Sequence, residues 1–358
     1  MDTHYCTLFT LVSAAVNDNN NSLPHEIDWE AVVVLAAKHG VGALAWDGLM
    51  RLREKGTVPA SLLPPTAIKL RWIAVVQRAE RNYLLQQYAM ESLDNALVQK
   101  TLRMLAFKGM ALSLYYPIPN HRECCDIDVC ALSGEHEALY ACIKHDGGVV
   151  DHDDSKHLAL RYKGVSLELH RSFLWRFASR KVRMMNAYLV SLLADAKKLL
   201  GYSCIYKPSL EFDSLFVLIH AANHYKTEGL MIRHVIDWAL VLQDSGYRWN
   251  EDILQKYGLR QFASILNRIA CEHLDFNMPQ SMCDCNDEVY MRVLNDILYP
   301  QYEAEYNTSK GNLVIRKYKR FTSRKWAYPL VGDNFWHAML SSAVEHILDP
   351  VSLFRGRK

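Results

Sequence analysis

A chain of 358 residues is too long for one ordinary core, so two or three packed regions are expected. Half of its residues are apolar and 22% charged, which excludes a largely disordered chain. A formal net charge of +2 excludes a global electrostatic pull toward nucleic acid or anionic membrane. The apolar run within MDTHYCTLFTLVSAAVNDNNN has no basic leader and is too short to cross a bilayer, so a soluble, cytoplasmic protein is expected. Nine scattered cysteines, with Cys124 and Cys125 adjacent, argue against a secreted disulfide framework. Cys283 and Cys285 form a lone C-x-C without the second pair that a structural zinc site needs.

After the Asn-rich segment Asn17–Asn21, a helix is expected from Asp28 as N-cap, with Glu30 in its first turn and Gly40 as its stop. A second covers Ala43–Lys55. Beyond SLLPPT, the spacing of Leu70, Ile73, Ala74, Tyr83, Leu84, Leu93 and Leu97 predicts a long helix over Ala67–Lys100. Residues 1–100 thus read as a helical N-terminal region.

The period then changes. Leu102–Phe107 is a short apolar run ending in Lys108-Gly109, the pattern of a buried strand feeding a turn. Met110–Tyr116 gives one or two helical turns, stopped by Pro117 and Pro119. Cys125–Ala131 alternates, with Asp126, Asp128 and Cys130 on one face and Ile127 and Val129 on the other. Ser133 is placed to cap a helix over Gly134–His145, closed by Gly147-Gly148. Two strands, Lys156–Tyr162 and Val165–His170, meet through Lys163-Gly164 as a hairpin. Residues 101–172 therefore read as a small α/β unit.

Residues 173–358 read as a helical C-terminal domain. An extended piece is expected at Tyr202–Lys207 and helices at Phe212–Tyr225, Ile232–Gln243, Asp252–Tyr257, Phe262–His273 and Glu288–Leu298. Arg316–Lys325 is the dense basic stretch, with Tyr318, Phe321 and Trp326 interleaved. It fits a nucleic-acid patch or a solvated face over an aromatic underside, and the near-neutral net charge favours the solvated face.

The chemistry-bearing residues converge on three carboxylates. Residues two apart on a strand point the same way, so Asp126 and Asp128 can meet on one or two divalent ions. In VSLELH, Ser166, Glu168 and His170 share a face. If that strand lies beside the Asp strand, Glu168 arrives as a third ligand. Hard oxygen donors of this kind suit magnesium, and two such ions can activate an attacking hydroxyl and stabilise leaving pyrophosphate. Lys108 and Gly109, at a strand-to-helix turn, and Arg122 are the cation and backbone candidates for holding a triphosphate. His170 and His157 stand near by strand geometry, to orient a carboxylate or contact phosphate. His220 and His224 share a helix face but lack the glutamate of H-E-x-x-H. With Arg233 and Asp237 they form either a wall of an acceptor pocket, a second anion site, or a satisfied polar cluster.

The run FKGMALSLYYPIPNHRECCDIDVCAL, then VSLELH, then LIHAANHYKTEGLMIRHVIDWALVL resembles the uncharacterised bacterial nucleotidyltransferase family of the polymerase-β-like superfamily. The resemblance covers roughly Leu102–Leu242. It implies an α+β fold, a small mixed-sheet nucleotidyltransferase core flanked by N-terminal helices and a helical C-terminal domain. It also implies magnesium-dependent transfer of a nucleoside monophosphate from a nucleoside triphosphate to an acceptor it does not name. By the resemblance, Asp126 and Asp128 are the paired metal ligands, Glu168 the third carboxylate, and Gly109 the glycine of the phosphate-binding turn. The superfamily favours Gly-Gly or Gly-Ser in that turn, where this chain has Lys108 before a single glycine. That departure leaves an alternative on the same fold: an inactive nucleotide-binding or partner-binding module.

Overall fold

The computed structural model describes residues 2–19, 21–132, 134–153, 157–174, 179–299 and 322–348. Four helices come first: α1 (Thr3–Asn17), α2 (Trp29–Lys38), α3 (Gly42–Glu54) and α4 (Thr66–Lys100). Next come β1 (Met104–Phe107), α5 (Gly109–Ser113), β2 (Asp126–Ala131), α6 (His136–His145), β3 (Val149–Asp153), β4 (His157–Tyr162) and β5 (Val165–His170). They are followed by α7 (Arg180–Ser191), β6 (Lys197–Lys198), β7 (Ile205–Lys207), α8 (Leu210–Thr227), α9 (Ile232–Asp244), α10 (Glu251–Lys256) and α11 (Arg260–Leu274). The last are α12 (Gln280–Cys283), α13 (Asp287–Leu298), α14 (Ala327–Leu330) and α15 (Phe335–Leu348). The chain is α+β, with helices flanking one mixed sheet. Among the described residues, no helix is long and apolar enough to cross a membrane.

Local chemistry sets the boundaries. Asp28 caps α2 by accepting the Ala31 N–H, and Gly40 takes the left-handed conformation (φ +64°) just beyond that helix. The expected helix over Ala67–Lys100 is α4, 35 residues long, ended by Thr101 at φ +57°. The first strand starts at Met104 rather than Leu102, because Leu102 N–H still bonds back to the Leu97 carbonyl of α4. The helix expected over Gly134–His145 begins at His136, and Ser133 lies outside the described residues, as does Lys156.

Helix α1 and strand β3 are among the elements that fall outside the expectations, each for a physical reason. Helix α1 is buried on nearly every side, from Tyr5 through Ala15, so it carries no amphipathic stripe to recognise. Strand β3 is an edge strand with a bulge between Val150 and His152 and both valines exposed, so its alternation is weak.

The strand order is β3-β4-β5-β2-β1-β7-β6, with β2 antiparallel to β1 and parallel to β5. Each face of this sheet meets its own core. Met104, Ala106, Ile127, Val129, Leu167 and Leu169 pack on Ala89, Met90, Leu93 and Leu97 of α4 and on Leu139 and Ile143 of α6. Leu105, Phe107 and Cys130 face the other way, into a core built by α1–α3 together with α8, α9 and α11. The N-terminal and C-terminal helices thus share one apolar interior, and the polar residues of β2 and β5 point toward it.

Candidate functional site

The site begins where β1 ends. Lys108 adopts φ +54°, ψ −138°, a conformation that glycine favours and that strains the backbone of a residue with a Cβ. Gly109 follows at a close approach: a Cβ there would stand 2.8 Å from the Asp126 carbonyl oxygen. The turn therefore needs glycine at 109 for packing against β2.

Strand register supplies the acids. Phe107 lies opposite Asp128 across β1/β2, and Asp126 and Asp128 lie opposite Ser166 and Glu168 across β2/β5. Residues in register share a face, so Asp128, Glu168 and His170 converge. One ligand atom from each of these three falls within 4.8 Å of the others. Asp126 is on the same face but is not in that group.

Asp128 is 1% exposed, and its Oδ1 accepts from Lys108 Nζ at 2.8 Å and from His170 Nε2 at 2.8 Å. Burial alone would raise this carboxyl, but Lys108 and His170 outweigh it and hold it well below the ordinary carboxylate range. Lys108 is held above lysine's ordinary value, because Asp128 and Asp126 overcome the penalty of its burial. Burial likewise works against ionised Glu168, yet its contact with His170 outweighs that and the carboxyl lies lower than usual. His170 Nε2 is 3.4 Å from Glu168 Oε2, and His157 Nε2 is 3.6 Å from Glu168 Oε1. Asp126 goes the other way: burial first, then Asp128, push it up to about 6. Phe107 lies edge-on to His170 with ring centres 5.0 Å apart, and His157 stacks on His170 at 5.2 Å.

Arg122 is brought next to this turn and bonds both to it and to α9. Its guanidinium holds Asp237 of α9 through two bonds of 2.8 Å and reaches the Gly109 carbonyl at 3.2 Å. Tyr116 donates to the same Asp237 oxygen at 2.7 Å. Burial and then Asp237 push the Tyr116 phenol far above its ordinary value. Tyr116 is thus a site-building residue that sequence reasoning missed, and Asp237, expected beside His220 and His224, is bonded to Arg122 and Tyr116. The Arg-x-x-x-Asp spacing held the signal, but the acid pairs with Arg122, far away in the chain, and not with its helix neighbours. Arg233 instead donates to the Glu123 carbonyl at 2.6 Å. His220 and His224 are met by His234 of α9, whose imidazolium is strongly disfavoured by burial and by His224.

A cavity of about 550 Å³ is lined by Cys130 and His170 together with Arg103, Arg171, Phe173 and Tyr206, and by none of the three acids. In the basic stretch, Arg316–Phe321 lies outside the described residues. Arg324 is 1% exposed and is tied to Asp296 and the Tyr225 carbonyl, an interior role. All nine cysteines are free thiols.

A family model described as uncharacterised nucleotidyltransferase matches residues 25–275, which span β1, β2, β5 and both residues of the Arg122–Asp237 pair. The chain belongs to that nucleotidyltransferase family. Membership makes it a transferase of nucleotidyl groups, with a nucleoside triphosphate the implied donor. None of the curated proteins matches the sequence. Among solved structures, the chain is similar to the crystal structure of ANT(2'')-Ia in complex with adenylyl-2''-tobramycin: 14% identity, 49% of this chain, 97% of that chain, TM-score 0.34. The solution structure of the antibiotic-resistance factor ANT(2'')-Ia gives 12% identity, 52% and 98% coverage and TM-score 0.34. In this nucleotidyltransferase the matched segment contains every residue of the carboxylate cluster.

Proposed function

We propose that this nucleotidyltransferase works in the cytoplasm and moves a nucleoside monophosphate from a nucleoside triphosphate to an acceptor, in a magnesium-dependent reaction that releases pyrophosphate. The supporting observation is the in-register placement of Asp128 and Glu168 across β2 and β5, with Asp126 two residues before Asp128 on the same face.

The donor set fits magnesium. Three carboxylates share one sheet face, and Asp126 is raised to about 6 by burial and by Asp128, a surplus of negative charge that a dication relieves. Asp126, Asp128 and Glu168 are the residues that would hold one or two ions. Bound there, magnesium would neutralise triphosphate oxygens and stabilise the leaving pyrophosphate. The reaction joins an acceptor atom to the α-phosphorus while the bond to the bridging oxygen of pyrophosphate breaks.

The chain's own groups prepare that exchange. His170, wedged between Phe107 and His157, keeps Asp128 and Glu168 at fixed separation by standing within 2.8 Å and 3.4 Å of their oxygens. Lys108 brings an ammonium to the mouth of the turn, where it can serve phosphate oxygens. Arg122 is a positioning residue in this reading: through Asp237 and the Gly109 carbonyl it fixes the turn against α9.

One observation favours a second reading. Lys108 Nζ already sits 2.8 Å from Asp128 Oδ1, on a turn where the superfamily favours glycine, and an ammonium fixed there would leave a nucleotide-binding module without turnover. Calorimetry with each nucleoside triphosphate and magnesium, coupled to a pyrophosphate assay, separates the two. The enzyme binds and releases pyrophosphate when acceptor is supplied from cell extract. Binding with no pyrophosphate release under those conditions would establish the module instead.

A further inference from the structure

A second group of side chains, outside the carboxylate cluster, is arranged as metal ligands. His220 and His224 stand one turn apart on α8 and so share a face, while His234 comes from the first turn of α9. One ring nitrogen from each lies within 4.8 Å of the others. The rings are in direct contact, with centres 4.5 Å apart for His220 and His224 and 4.8 Å for His224 and His234.

The surrounding bonds orient them. Nδ1 of His224 faces Glu228 Oε2 at 3.2 Å, and because a carboxylate only accepts, Nδ1 carries the proton and Nε2 keeps its lone pair. A carboxylate behind an imidazole is the arrangement that fixes the tautomer and raises the basicity of a metal-binding histidine. Nδ1 of His234 accepts the Met231 N–H at 3.2 Å, so its lone pair is engaged there and coordination by this ring would have to displace that long hydrogen bond. Arg122 and Arg233 act electrostatically on His234, but Asp237 neutralises the first and Glu228 places a negative charge beside His224.

We propose that His220, His224 and His234 form a second metal site, distinct from the carboxylates, that takes a borderline divalent transition ion, zinc foremost, and leaves one position open to water or an anionic group. Imidazole donors suit zinc, copper or nickel, whereas magnesium prefers oxygen, so the two clusters call for different ions. The ion would pin α8 to α9. Phe216, which stacks on His220 at 6.3 Å, also lies edge-on to Phe107 at 5.3 Å, and Phe107 meets His170, so two phenyl rings link this site to the carboxylate cluster.

The test uses the full chain carrying Asp128→Asn and Glu168→Gln, stripped with chelator and titrated with zinc chloride by calorimetry, with cobalt chloride as a spectroscopic probe. The site predicts saturable zinc uptake in this background and a cobalt spectrum of near-tetrahedral type. Added His220→Ala or His224→Ala should weaken zinc at least ~100-fold, and Glu228→Gln by about 10–100-fold. Circular dichroism controls for folding. If a histidine variant fails to fold, the partly exposed Glu228→Gln decides alone. No uptake in the background protein, or zinc affinity unmoved by these replacements, overturns the proposal.

Discussion

Gly109 shows how a single missing Cβ positions the chemistry. A methyl group there would press to 2.8 Å from the Asp126 carbonyl oxygen, and the obstacle is backbone, which cannot rotate aside. Gly109→Ala should destabilise the fold by about 1–3 kcal/mol, as overpacking does. It should lower transfer by more than tenfold, because Asp126 moves with its carbonyl. Urea denaturation and steady-state kinetics read the two effects separately. Asp213 gives a pH prediction at the same scale. It is buried, accepts from Tyr115 at 2.8 Å, and is raised to about 7, chiefly by burial. The folded protein therefore binds a proton that the unfolded chain, with a carboxyl near 3.8, has released. The contribution to stability is full below that lower value and is lost as pH rises toward and through 7, a change on the order of 4 kcal/mol. Asp213→Asn should remove this slope. Melting temperatures from pH 4 to 8 should show the wild type losing ground against the variant as pH rises. Parallel curves would contradict the assignment.

Among elements, the link between the turn after β1 and helix α9 is the joint that sets site geometry. Arg122, 7% exposed, is bonded twice to Asp237, and Tyr116 adds a third bond. Arg122→Met should leave Asp237 charged and buried without its partner, at a cost of about 3–5 kcal/mol. Tyr116→Phe removes one hydrogen bond and should cost only about 1 kcal/mol. Chemical denaturation of the two variants tests that ranking, and equal effects would mean that Asp237 is satisfied some other way. The pairing was not legible in the sequence, because Arg122 and Asp237 lie far apart along the chain and either has nearer charges to choose from. The faces of β2 and β5 were legible, while their pairing stood only as a condition. Alternation placed Asp126, Asp128, Glu168 and His170 on one face, and the parallel register set Asp128 opposite Glu168. Alternation also put His170 near a carboxylate, but it cannot carry the reach of a side chain across a turn, so the Lys108 contact with Asp128 was not legible in the sequence.

For the whole molecule, one sheet separates two apolar cores, and the acidic face of that sheet looks toward the core shared by the first and last helices. This explains why amphipathic periodicity marked α4 well and α1 poorly: α4 spans the surface of the sheet unit, while α1 is enclosed by α3 and α11. The central claim, nucleotidyl transfer by the Asp126, Asp128 and Glu168 face, is tested most directly by label transfer. The protein is incubated with each α-labelled nucleoside triphosphate, magnesium and cell extract, beside an Asp126→Asn, Asp128→Asn double variant. The account predicts that wild type passes the α-label to an extract acceptor, that γ-label never follows, and that the double variant is at least ~100-fold slower. Labelling by the wild type no greater than by the variant would contradict it.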